Sequence, residues 1–88
     1  MMTAVQILLV VDEEDRALEL RRQVESLGYR VAGLARLGEE ALAHVSELRP
    51  DLVLLDVAMQ RNPESLQLAE EVRARLGLDL PVLVLIAQ

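Results

Sequence analysis

Val5-Gln6-Ile7-Leu8-Leu9-Val10-Val11 runs straight into Asp12-Glu13-Glu14-Asp15, and a second apolar run, Leu52-Val53-Leu54-Leu55, ends on Asp56. Both runs are short and rich in Val, Ile and Leu. Neither alternates apolar with polar residues. That is the pattern of strands buried on both faces of a parallel sheet. Adjacent parallel strands deliver their carboxyl ends to one edge of the sheet, where open α/β folds place their ligands. The spacing therefore predicts that Asp56 and the Asp12/Glu13 pair meet in one cleft. Clustered carboxylates repel, so such a cleft calls for a hard cation, a shared proton or solvent.

Working outward, glycines and prolines divide the rest. Ala17, Leu20, Val24 and Leu27 form a helical stripe that ends at Gly28. Tyr29 to Ala35 reads as the second strand, with Gly33 marking a bend or a close approach. Leu37, Ala41, Val45 and Leu48 line a second helix stopped by Arg49-Pro50. The third strand is Leu52 to Asp56. Asn62-Pro63 reads as a helix cap followed by proline at the first helical position. The third helix carries Leu66, Ala69, Val72 and Leu76 and closes at Gly77, and Pro81 precedes a fourth strand, Val82 to Ile86. The order β-α-β-α-β-α-β implies a parallel sheet covered by helices on both faces, within one domain spanning residues 1–88.

Composition narrows the function. The 88 residues are 52% hydrophobic, which excludes a disordered chain. Tyr29 is the only aromatic residue, so the core is aliphatic. There is no cysteine and hence no disulfide or thiolate chemistry. No apolar run approaches the ~20 residues of a membrane-spanning helix. The amino-terminal residues carry no basic segment of the kind that opens a signal peptide. These exclusions leave a cytoplasmic protein as the expectation. A net charge of −6 argues against nucleic acid and against anionic membranes as direct partners. All nine basic residues are arginines.

The residues that carry a family resemblance are now in view. They are Ile7 to Glu14, Leu27-Gly28-Tyr29, Gly38-Glu39-Glu40-Ala41-Leu42, Arg49-Pro50-Asp51-Leu52-Val53-Leu54-Leu55-Asp56 and Leu80 to Leu85. In order and spacing the chain resembles a receiver domain of the two-component response regulators, most specifically through the run ending on Asp56. The resemblance implies a flavodoxin-like sheet of strand order 2-1-3-4, in three α/β/α layers, without the fifth strand and last helices of the family. It implies that Asp56 is the phosphoacceptor, charged by a sensor histidine kinase or a phosphotransfer protein. It also implies that Asp12, Glu13, Asp56 and the backbone carbonyl of Ala58 hold Mg²⁺, whose preference for carboxylates, carbonyls and water suits that set.

The departures from the family pattern matter equally. Asp12-Glu13 supplies the family's acidic pair if counted from the strand end. If the length of helix 1 is kept, Val11 and Asp12 fall there instead, and the site has one acid fewer. Asp12 belongs to it either way. Ile86 stands where the family has a hydroxyl residue, Gln60 stands for a proline, and Glu64-Ser65 for an Asp-Gly. The phosphate-binding lysine has no counterpart, and an arginine would have to reach the site from another element.

Two functions follow: a working phosphoacceptor, or a pseudo-receiver that keeps the fold as a phosphorylation-independent interaction module. An independent enzyme has no support, because no nucleophile–base pair or histidine cluster is present. Glu14 and Asp15 read as acids favouring a helix N-terminus. His44, on the stripe of helix 2, reads as a packing histidine, and Met59 as a packing residue. With strand 4 at the sheet edge, the unguarded run 82–86 predicts self-association or completion by a partner strand.

Overall fold

The computed structural model describes residues 4–36, 39–58, 65–76 and 80–87. Its elements are β1 (Gln6–Val11), α1 (Glu14–Ser26), β2 (Arg30–Ala35), α2 (Glu39–Leu48), β3 (Leu52–Ala58), α3 (Ser65–Leu76) and β4 (Val82–Ala87). The four strands are parallel and ordered β2-β1-β3-β4. The predicted sheet, strand order and alternation with helices are therefore as read from the sequence. Leu37, Met59, Gln60, Asn62, Pro63, Glu64 and Gly77 lie outside the described residues, as do the side chains of Leu66, Ala69, Val72, Leu76 and Ile86.

β1 is central, and Ile7 to Val11 are all buried, which is why its sequence shows no polar alternation. Side chains on a strand alternate between faces. Leu8 and Val10 join Val53, Leu55, Ala35 and Ala41 in a core beneath α2, with Leu80 and Val82 packed against it. Ile7, Leu9 and Val11 join Leu54, Ala17, Leu20 and Val24 in a second core beneath α1. One sheet thus separates two aliphatic layers.

Helix 1 ends as its glycine foretold. Gly28 has φ +94°, the left-handed region that glycine enters without steric cost. The Gly28 N–H donates to the Glu25 carbonyl at 3.0 Å and the Tyr29 N–H to the Val24 carbonyl at 3.4 Å. This pair of bonds is a Schellman cap. It consumes Tyr29, so β2 begins at Arg30 rather than at Tyr29. Helix 2 ends differently. Arg49, with φ 48°, is the described non-glycine residue in left-handed backbone, and its N–H donates to the Val45 carbonyl at 3.0 Å.

Gly33 marks both features expected of it. The β1–β2 register shifts between Ile7 and Leu8, leaving Ala32 as an extra residue on β2. A Cβ on Gly33 would come within 2.8 Å of the Leu48 Cδ1. His44 is half-buried on α2, and its Nδ1 lies 2.8 Å from the Glu40 carbonyl, which fits the packing role.

β3 and β4 extend further than their apolar runs suggest. Pairing continues past Asp56–Leu85 through Val57–Ile86 to Ala58–Ala87. Asp56 consequently sits two residues inside β3 rather than at its end. The sequence boundary failed there because an acid looks like a stop, whereas its backbone pairs with β4 regardless of its side chain.

Candidate functional site at the ends of strands 1 and 3

Register brings Val11, the last residue of β1, opposite Asp56 on β3. Three features therefore converge at one sheet edge: the end of β1, the loop Asp12-Glu13 that starts α1, and the Asp56 side chain. The Asp56 side chain is only 4% exposed. A carboxylate so withdrawn from water needs a partner. It has one: the Arg16 Nε–H donates to Asp56 Oδ2 at 2.7 Å. The other arm of the guanidinium, Nη1, lies 3.4 Å from Glu19 Oε1 one turn further along α1. The Asp56 hydrogen bond raises the Arg16 pKa; partial burial opposes this, and the charges of Asp56 and Glu19 add to it.

Arg16 reaches Asp56 because α1 holds it there. It is the third residue of the helix and lies four before the buried Leu20, on the face directed at the sheet. Its neighbour Ala17 is buried against β1 and fixes the first turn. Glu14 and Asp15 occupy that first turn, as the macrodipole favours.

The remaining predicted site residues are distributed as follows. Asp12 is exposed and lines a cleft of about 320 Å³ with Val11, Glu14, Ala17, Leu34, Ala35, Arg36 and Glu40, at the ends of β1 and β2. Asp56 does not line that cleft. Glu13 is exposed and serves as the N-cap of α1 in extended backbone (φ −99°, ψ 126°), with no side-chain cap bond. Ala58 is the last residue of β3, opposite Ala87. Among the described residues no three His, Cys, Asp or Glu side chains stand close enough together to hold a metal ion. The donor chemistry of Asp12, Glu13, Asp56 and the Ala58 carbonyl is nonetheless all oxygen and suits a hard divalent cation. In the arrangement seen, the charge of Asp56 is met by Arg16.

Sequence reading did not single out Arg16. The signal was present in its position: four residues ahead of Leu20, it shares the buried side of the helix, where a cation has to find an acid.

The comparisons with known proteins agree with this fold. Residues 7–88 match the model of the response regulator receiver domain, and the chain belongs to that family. The response regulator MprA of Mycolicibacterium vanbaalenii is 46% identical over 83 residues, covering 92% of this chain and 34% of its own length. Among solved structures, the receiver domain of a modulated diguanylate cyclase from Desulfovibrio desulfuricans G20 superposes with a TM-score of 0.73 at 34% identity, over 96% of this chain and 66% of that one. The anti-anti-sigma factor PhyR of Bartonella quintana, in complex with the anti-sigma factor NepR, gives 0.70 at 29% identity, over 90% of this chain and 32% of that one. The chain thus spans about a third of the length of the curated relatives it matches. Receiver domains are signalling modules rather than independent enzymes.

Proposed function

We propose that this receiver accepts a phosphoryl group on Asp56 and signals through the protein contacts that follow. The observation that carries this reading is the placement of Asp56. It lies directly opposite the end of β1, at the switch point of a 2-1-3-4 parallel sheet.

In the transfer, a carboxylate oxygen of Asp56 attacks phosphorus in line as the phosphorus–nitrogen bond of a kinase phosphohistidine breaks. The bonding pair returns to the donor imidazole. Charge on the equatorial oxygens has to be offset by cations. Asp12, Glu13, Asp56 and the Ala58 carbonyl are the groups that would hold Mg²⁺, which supplies that offset when bound. The partner is a sensor histidine kinase or phosphotransfer protein, in the cytoplasm. Among the described residues no helix is long and apolar enough to cross a membrane.

A second reading, the phosphorylation-independent interaction module, is favoured by the Arg16–Asp56 pair, which already neutralises the acceptor. The PhyR–NepR complex shows a receiver-containing relative bound to a protein partner. Reductive trapping of the acyl phosphate separates the two readings. After incubation with a small phosphodonor, borohydride converts a phosphorylated aspartate to homoserine. Homoserine at position 56 supports the acceptor, and unmodified Asp56 in a folded sample supports the module.

A further inference from the structure

We propose that Arg16 is a lock on Asp56: its guanidinium holds the place beside the carboxylate that a divalent cation needs, so the cation binds only when Arg16 withdraws. The inference rests on the reading of Asp56 as the receiver's acceptor position.

Three observations carry it. The Asp56 side chain is almost wholly buried, so there is little free carboxylate surface on which a second cation could sit beside the first. The Nε–Oδ2 distance of 2.7 Å is that of a charge-assisted hydrogen bond, the stronger kind. Arg16 is also anchored twice, at Asp56 and at Glu19 on its own helix, and its backbone is set by the buried Ala17 beside it. A monovalent and a divalent cation within a few ångströms of each other repel strongly at low dielectric. Occupancy by one therefore opposes the other. Arg16 itself is 37% exposed, so the withdrawn state has water in which to place the guanidinium. The lock is thus a two-position side chain, with Glu19 as the lateral support of the closed position.

Such an equilibrium divides the apparent affinity for the cation by the fraction of molecules in the open state. The test uses the 88-residue chain with Mg²⁺ alone as probe, read by calorimetry and by amide shifts at Val11 and Asp56. Arg16→Gln should bind Mg²⁺ about tenfold more tightly than the unmodified chain, corresponding to a lock closed roughly nine-tenths of the time. Arg16→Lys retains a cation and should stay near the unmodified affinity, which a merely structural loss would not produce. Asp56→Asn should abolish the response.

If Arg16→Gln fails to fold, Glu19→Gln gives the second reading. Glu19 is exposed, and removing the lateral support should tighten Mg²⁺ by about twofold. Equal or weaker Mg²⁺ binding in Arg16→Gln and Glu19→Gln than in the unmodified chain, or no binding in either of them, overturns the lock. A phosphodonor is then added to the same samples. Tightened Mg²⁺ binding without any phosphoryl adduct leaves the lock standing and removes the acceptor reading instead.

Discussion

Arg16 and Asp56, forty residues apart in the chain, are joined by a 2.7 Å bond between a helix and the central sheet. The bond ties the first turn of α1 to the inner strand β3 and meets the charge of a carboxylate that is 4% exposed. Under the proposed acceptor role, structure and chemistry are coupled at this pair, because the group that meets the Asp56 charge is the one that has to withdraw.

The pair contributes to stability. Arg16→Ala leaves a nearly buried carboxylate without its donor, and the expected loss is about 1–3 kcal/mol. Asp56→Asn should cost less, because the amide is neutral. In a double-mutant cycle by urea denaturation, a coupling energy on the order of 1 kcal/mol or more is expected. A coupling near zero would mean that the bond adds nothing in solution.

That coupling should not vary with pH across the neutral range. The Asp56 hydrogen bond raises the Arg16 pKa above its unfolded value. A cation shifted this way contributes stability that is fully present below the unfolded pKa and is lost only as pH rises through the folded one. Both lie in the strongly alkaline region. The coupling measured at roughly pH 7 and pH 9 should therefore agree.

Arg49 offers a stabilising change. It adopts φ 48° at the end of α2, a conformation that costs a non-glycine residue about 1–2 kcal/mol. Arg49→Gly removes that strain but gives part of the gain back as chain entropy. A net gain of up to about 1 kcal/mol is expected, seen as a higher denaturation midpoint with an unchanged slope. A lower midpoint would mean that the Arg49 side chain contributes more than its backbone costs.

Taken by itself, the 88-residue chain should associate through β4. Leu83 is 52% exposed on a strand whose sequence, Val82-Leu83-Val84-Leu85-Ile86, carries no charge. Leu83→Lys places a charge there, as edge strands commonly do. Sedimentation should show concentration-dependent association of the unmodified chain and a shift towards monomer in the variant. Identical monomers in both would remove the edge as a contact.

Much of this was legible in the sequence because it depends on local chemistry. Gly28 announced its left-handed cap, and the unbroken apolar run 7–11 announced a strand covered on both faces. Gly33 announced the close approach of Leu48. The β3 boundary was not legible, since pairing beyond Asp56 is decided by β4, which lies beyond α3 in the chain. Arg16 was only half legible. Its spacing from Leu20 puts it on the buried side of the helix, but the acid it meets shows only in the register of β1 against β3. The Ile86 side chain and the segments after β3 and α3 lie outside the described residues, so what was expected there rests on the sequence.

The acceptor claim is tested most directly by intact mass of the folded chain after incubation with a small-molecule phosphodonor, with and without Mg²⁺, beside Asp56→Asn. The account predicts a single phosphoryl adduct that requires Mg²⁺, grows faster in Arg16→Gln and is absent from Asp56→Asn. No adduct in any folded sample, or an adduct that persists in Asp56→Asn, would contradict it.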